Sequence, residues 1–180
     1  MKLKHLVALI TFLTTSLIYC QDKQISLEDI WSGSFRTERM QALHSMKNGK
    51  QYSVLNVDGQ TREATIDIYD YNTLEKVKTL VSSSDIEEIQ GFFDYTFSAD
   101  ESKVILTTDS KPVFRRSTLG EFYIYDLASK KVTKVSDDLV QEPTLSPDGT
   151  KIAYGFENNL YVKDLQSGEV DAITSDGEKN

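Results

Sequence analysis

The sequence predicts an all-β fold made of antiparallel four-stranded blades, as found in part of a β-propeller. Short segments rich in β-branched and aromatic residues alternate with turn-forming residues through most of the chain. Similar segments recur roughly every 40–50 residues, which is the repeat length of propeller blades. No long stretch shows the apolar period of a helix, which argues against a helical domain.

Six segments carry the strand pattern most clearly: 51–57, 64–71, 103–108, 121–127, 151–156 and 159–165. Apolar residues on both faces of the 121–127 segment predict a sheet that lies between two neighbouring sheets. One short helical turn is predicted in QISLEDIWSGSF. Ser26 is a suitable N-cap there, and Asp29 stands three residues later in the capping-box position.

The repeat is visible when segments are aligned by their turns. YTFSADESKVILTT (95–108) matches PTLSPDGTKIAYGF (143–156), and each is followed by a strand that ends in aspartate. The aspartates of the three copies are Asp70, Asp126 and Asp164, at intervals of 56 and 38 residues. The longer interval predicts an insertion, which we place in a loop between Thr108 and Glu121.

Turn chemistry agrees with blades. Asp148 and Gly149 predict a tight turn, because glycine tolerates a positive φ. Asp164 can accept hydrogen bonds from the amides that follow it, and Ser167 and Gly168 then turn the chain into an outer strand.

About three copies of the repeat are present, whereas propellers close with four to eight blades. We therefore expect this chain to be the front piece of a longer protein.

The first twenty residues have the pattern of an export signal. Lys2 and Lys4 precede an apolar run that ends at Tyr19, too short for a comfortable membrane span. Cleavage near Cys20 predicts a periplasmic or secreted protein. Lipoprotein anchoring at Cys20 is the alternative, although Tyr19 is larger than such sites usually accept. The predicted organisation is signal peptide 1–20, N-terminal segment 21–46 and propeller blades 47–180.

Charge and composition exclude several classes of function. Without residues 1–20 the chain keeps 28 acidic residues and loses two of its 20 basic ones, so its formal charge is −10. Such a surface repels phosphate backbones, so no nucleic-acid partner is expected. The one cysteine leaves with the leader, so neither a disulfide nor a thiol nucleophile within the domain is expected.

Residues for catalysis are largely missing from the sequence. There is no G-x-S-x-G serine motif and no glycine-rich phosphate loop, and His44 is the one histidine left after the leader. We interpret His44 as a partly buried residue at a strand entry, and expect neither metal nor cofactor. The acidic pairs Glu87–Glu88 and Asp137–Asp138 are interpreted as solvated charges.

Arg115 and Arg116 are the remaining candidates for a binding role. Arginines in loops are usually solvated, but these two lie in the insertion that breaks the repeat. Inserted loops of propellers commonly form binding surfaces. A guanidinium is also well suited to gripping a carbonyl or carboxylate with several donors.

The ordered series FFDYTFSADESKVILTTDSKPVFRRSTLGEFYIYDL and LSPDGTKIAYGFENNLYVKDL resembles the propeller of the dipeptidyl peptidase IV family of serine peptidases. SLEDIWSGSFRTERMQALHSM (26–46) is similar to the N-terminal segment of its bacterial members. The resemblance spans residues 25–180. It implies an eight-bladed propeller over an α/β-hydrolase domain, with a homodimeric parent protein that removes X-Pro or X-Ala dipeptides from peptide N-termini.

The resemblance also separates the two arginines. A propeller arginine twelve residues before the IYDL leucine binds a substrate carbonyl in that family, and this position is Arg115. Arg116 falls where the family does not require arginine. The family's glutamate pair and its Ser-Asp-His triad are expected after residue 180, so the chain itself should be inactive.

Two other functions stay open at this stage. The first is a non-enzymatic periplasmic scaffold, a propeller built from further S-P-D-G repeats. The second is another prolyl oligopeptidase relative, such as an acylaminoacyl peptidase, which would keep the triad without the glutamate pair. The sequence that follows residue 180 discriminates among the three.

Overall fold

The structure is a computed structural model that describes residues 25–37, 41–114 and 117–178. The chain divides into two compact units, Met1–Met40 and Gln41–Asn180. In the first unit, helix α1 spans Leu27–Trp31. Its predicted capping box is confirmed: the Ser26 hydroxyl accepts from the Asp29 amide, and the Asp29 carboxylate accepts from the Ser26 amide, both at 3.1 Å. In the described part of the chain, no helix is long and apolar enough to cross a membrane.

The described residues of the second unit form twelve strands in three antiparallel four-stranded sheets. They are β1 (Leu43–Ser45), β2 (Gln51–Val57), β3 (Ala64–Asp70), β4 (Lys76–Ser82), β5 (Asp94–Phe97), β6 (Lys103–Phe114), β7 (Ser117–Asp126), β8 (Val132–Lys134), β9 (Gln141–Leu145), β10 (Lys151–Phe156), β11 (Asn159–Asp164) and β12 (Val170–Ala172). A short 3-10 turn spans Ser83–Asp85. The strand order is β1-β2-β3-β4, β5-β6-β7-β8 and β9-β10-β11-β12.

Each sheet is one propeller blade made from four consecutive strands, so the predicted all-β blade architecture is confirmed. We call the sheets blade 1 (β1–β4), blade 2 (β5–β8) and blade 3 (β9–β12). Strands β2 and β10 have the predicted bounds. Strand β1 lies within the segment 21–46 that was predicted to lead into the propeller.

Blade 2 is packed on both faces, as its apolar pattern predicts. On one face, Val104 and Leu106 of β6 pack against Ile66 of blade 1. On the other face, Ile105 and Ile124 join a second core cluster that includes Ile152 of blade 3. Burying each such side chain contributes about 1.5–3 kcal/mol, so the blade interfaces hold the unit together.

Aspartate turns close one end of the blades, which we call the turn end. Asp148 Oδ1 accepts from the Thr150 amide at 3.1 Å, and Gly149 has the predicted positive φ of 67°. Asp164 Oδ1 accepts from the amides of Gln166 and Ser167, each at 2.9 Å, as predicted. Because strand direction alternates, the links between blades (83–93 and 135–140) lie at the opposite end, the connection end.

Extra residues do lie between Thr108 and Glu121, as predicted, but the prediction that they form a loop is wrong. This segment continues the strands: β6 has 12 residues where β10 has 6, and β7 has 10 where β11 has 6. Pairing runs on from Asp109↔Glu121 to Phe114↔Ser117, with bulges that absorb the extra residues. The link 83–93 is also longer than the link 135–140, so the long repeat interval has two sources.

Candidate functional site

The extension of β6 and β7 toward the connection end is the candidate functional element. We call it the arginine hairpin and define it as residues 109–114 and 117–120. Arg115 and Arg116 join its two arms in the sequence, and both lie outside the described residues. The substrate-binding role of Arg115 therefore stays a prediction, and the structure describes the arms that carry it.

A hydrogen-bonded carboxylate marks the root of the hairpin. Glu121 accepts from the Thr108 hydroxyl at 2.8 Å across the strand pair and from Lys134 Nζ at 2.8 Å on β8. The hydroxyl of Tyr123 also donates to it, at 3.3 Å. The hydrogen bond from Lys134, followed by that from Thr108, lowers the pKa of Glu121. Glu121 is therefore ionised at neutral pH and joins β6, β7 and β8 where the extension begins.

The second arm of the hairpin is bonded to the link that leads into blade 3. Gly120 and Val140 exchange two backbone hydrogen bonds, of 2.8 and 2.9 Å. Closer to the tip, Gln141 Nε2 donates to the Ser117 hydroxyl at 2.6 Å. The hairpin is therefore part of blade 2, but it also contacts blade 3 and the link that leads into it.

Glycine is required at position 120 by close approach. A Cβ there would lie 2.6 Å from Cζ of Phe122 and 3.1 Å from the carbonyl oxygen of Asp109. Ordinary contacts of a Cβ atom are longer than 3.4 Å. Gly120 therefore allows the arm to lie against Phe122 and to pair with Val140 at once.

Two clefts flank the hairpin root. The first, of about 460 Å³, lies between blades 1 and 2 and is lined by Arg62, Glu88, Thr108 and Glu121 among others. The second, of about 340 Å³, lies on the other side; its lining includes Phe93, Asp94, Ser110, Thr118 and Glu142. Both clefts have walls of polar and apolar groups.

Residues that the sequence assigned no function lie mostly at the surface. Glu87, Glu88, Asp137 and Asp138 are exposed, as interpreted, although Glu88 also lines the first cleft. His44 is exposed, so the prediction of partial burial is wrong; its ring lies 4.9 Å from that of Tyr95. Within the described ranges, no three His, Cys, Asp or Glu side chains are grouped to hold a metal ion.

Comparison with known proteins relates these blades to a family. Residues 98–180 match the family model described as the dipeptidyl peptidase IV N-terminal region. The crystal structure of Porphyromonas gingivalis dipeptidyl peptidase 4 superimposes with a TM-score of 0.75 at 29% identity, covering 88% of this chain and 23% of that one. The predicted resemblance to the dipeptidyl peptidase IV family is confirmed. The tricorn protease is similar in fold alone, with a TM-score of 0.52 at 16% identity over 78% of this chain and 13% of its own.

Sequence relatives agree with this family. Human prolyl endopeptidase FAP is 26% identical over 160 residues, which are 88% of this chain and 20% of the relative. Probable dipeptidyl-aminopeptidase B of Penicillium rubens is 34% identical over 87 residues, 46% of this chain and 10% of the relative. The chain thus spans about a fifth or less of the curated relatives that it matches.

Proposed function

We propose that this chain is the N-terminal propeller portion of a longer serine-type dipeptidyl peptidase, here called the parent protein. The parent protein releases X-Pro or X-Ala dipeptides from peptide N-termini. Its hydrolase domain supplies the triad, and the blades described here gate access and present Arg115 to the substrate. The observation that supports this most is the extended hairpin of blade 2, which carries Arg115 within the segment similar to the family's N-terminal region.

Arg115 would orient the substrate by hydrogen bonding. A guanidinium can direct two N–H donors at one peptide carbonyl and so fix both its position and its direction. The arm from Asp109 to Phe114 extends the strand by up to about 20 Å, at roughly 3.3 Å per residue. A paired strand carries such a group further from the blade, and with less freedom, than an unpaired loop of equal length.

Gating follows from the same end of the blades. Charged side chains line both clefts beside the hairpin root: Arg62 and Glu88 line the first, and Asp94 and Glu142 line the second. A peptide that enters at this end would therefore pass charged walls. A propeller of this kind admits a chain end and excludes folded proteins. The partners that we propose are peptide substrates, the remaining blades and hydrolase domain of the same parent protein, and a second copy of the parent protein.

Export is part of the proposal. The basic and apolar pattern of residues 1–20 supports cleavage near Cys20 and a periplasmic or secreted location, with lipid attachment at Cys20 as the alternative. Mass spectrometry of the protein recovered from cell fractions distinguishes them. A new N-terminus without added mass supports cleavage alone, and a lipid mass on Cys20 supports anchoring.

The experiment compares the parent protein with this chain. The purified parent protein should release p-nitroaniline from Ala-Pro-p-nitroanilide and should remove dipeptides, but no single residues, from a peptide with proline in its second position. The 180-residue chain alone should release neither product. A parent protein that binds peptides without cleaving them would favour the scaffold function, and acyl-residue release would favour an acylaminoacyl peptidase.

A further inference from the structure

The hydrogen bond between Gln141 and Ser117 links two elements that the sequence keeps apart. Ser117 is the first residue of β7 and directly follows Arg116 in the sequence, whereas Gln141 opens β9 in blade 3. Gln141 Nε2 donates to the Ser117 hydroxyl at 2.6 Å, and both side chains are partly buried. A residue of blade 3 thus holds the residue that directly follows the two arginines in the sequence.

The hairpin has few other lateral contacts in its sheet. Strand β5 pairs with β6 only from Val104 to Thr107, and β8 pairs with β7 only from Tyr123 to Tyr125. Beyond those points, two residues of the link 135–140 make backbone contacts with β7 in the described part of the chain. The Val135 amide donates to the Phe122 carbonyl at 3.0 Å just below the hairpin, and Val140 pairs with Gly120 in the hairpin itself. A two-stranded ribbon alone is marginally stable in water, so contacts from blade 3 have a large share in fixing its direction.

Gln141 is itself held firmly enough to act as an anchor. Its neighbour Val140 is 1% exposed and lies in the core between blades 2 and 3. Gln141 also pairs with Gly155 of β10, where the strand register shifts. The donor nitrogen is therefore attached to a residue fixed on two sides, by the core and by its own blade.

We propose that Gln141, acting through the Ser117 hydroxyl, is the positioning residue that sets where the arginine hairpin presents Arg115. This inference rests on the proposed function, because it assigns Arg115 to a substrate carbonyl. Blade 3 thereby determines the geometry of a group that blade 2 carries. Misplacing an orienting group by about 1 Å can cost up to about a hundredfold in rate, so a single tether has a measurable effect.

The kinetic test uses the parent protein and three variants. Gln141→Ala removes the donor and should lower kcat/KM for Ala-Pro-p-nitroanilide about three- to tenfold, the range of one neutral hydrogen bond. Gln141→Glu should stay within about twofold, since the Ser117 hydroxyl can donate to a carboxylate instead. Gln166→Ala, in an exposed turn of the same blade, is the matched control and should behave as the wild type.

A double variant separates positioning from a general structural effect. If Gln141 acts through Arg115, then Gln141→Ala should change nothing further in a protein that already carries Arg115→Ala. Additive losses in the double variant would overturn the proposal. An equal loss in Gln141→Ala and Gln141→Glu would also overturn it, because the glutamate keeps the tether.

Hydrogen exchange tests the tether without any activity. In the parent protein, Gln141→Ala should speed amide exchange in peptides covering 109–122, while peptides covering β10 and β11 stay protected as in the wild type. Unchanged exchange in 109–122 would overturn the tether. If Arg115→Ala alone left the kinetics of the parent protein unchanged, both the substrate-binding role of Arg115 and the catalytic effect of the tether would be refuted. The exchange result would still decide whether Gln141 fixes the hairpin.

Discussion

Gly120→Ala tests the packing that joins the hairpin to both blades. The added methyl group would lie 2.6 and 2.8 Å from ring carbons of Phe122 and 3.1 Å from the carbonyl oxygen of Asp109. Phe122 packs against the core between blades 2 and 3, so its ring cannot move away freely. Overpacking of this kind costs about 1–3 kcal/mol.

A smaller, opposing contribution also enters the effect of Gly120→Ala on the free energy of unfolding. Replacing glycine by alanine restricts the unfolded chain and stabilises by about 0.4–1 kcal/mol where the backbone tolerates alanine. We therefore expect Gly120→Ala to lower the free energy of unfolding by about 1–2 kcal/mol. Urea unfolding followed by fluorescence measures it, as a lower midpoint at unchanged slope.

Gly59→Ala is the matched control. No atom lies within 4 Å of a Cβ built at Gly59, and its φ is not in the left-handed range. That variant should be neutral or slightly more stable. Adding Phe122→Leu to Gly120→Ala should recover part of the loss, since it removes the ring that the methyl group meets. Equal stability of Gly120→Ala and Gly59→Ala would refute the close-approach argument.

Two further predictions concern stability. Asp67 is almost fully buried and accepts from Asn56, Thr79 and Lys76 at 2.8–2.9 Å, so Asp67→Ala should lower the free energy of unfolding by about 2–3 kcal/mol. The side chain of Lys76 is about half exposed, so Lys76→Ala should cost about 1 kcal/mol or less. Equal costs of the two variants in urea unfolding would contradict this. Hydrogen bonds from the Ser146 side chain and from the Ser167 amide lower the pKa values of Asp148 and Asp164, respectively, below the ordinary 3.8. The two ionised carboxylates therefore stabilise the folded state fully above about pH 4, and this stabilisation is lost as the pH falls through their lowered pKa values. The double variant Asp148→Asn with Asp164→Asn should lose less stability in acid, as measured by a pH series of unfolding midpoints.

Local patterns were enough to predict the strands with a regular alternation. Strands β2 and β10 were predicted with their bounds because both are short, rich in aromatic and β-branched residues and flanked by turn formers. In β10, Ile152, Tyr154 and Phe156 alternate with smaller or polar residues. Strands β1 and β12 have three residues each, too few for a period to be recognised. The hairpin arms were missed because Asp109, Ser110 and Pro112 are typical of turns, and the bulges that accommodate them depend on the partner strand.

The surroundings of the candidate site could not be predicted in the same way. Glu121 meets Lys134 only because β7 and β8 are paired in one register, and Gln141 meets Ser117 only because two blades pack together. Neither contact has a signal in local sequence. The place of Arg115 and Arg116 in the insertion drew attention to both residues. Composition and spacing alone could not rank one above the other, and the family resemblance singled out Arg115.

The most direct test of the account is a comparison of Arg115→Ala with Arg116→Ala in the parent protein. Loss of a charge-assisted hydrogen bond of about 1.5–3 kcal/mol predicts that Arg115→Ala lowers kcat/KM for an X-Pro substrate about tenfold or more. Arg116→Ala removes the same charge one residue away and should stay within about twofold of the wild type. Unchanged kinetics in Arg115→Ala, or equal losses in both variants, would contradict the claim that the hairpin presents Arg115 to the substrate.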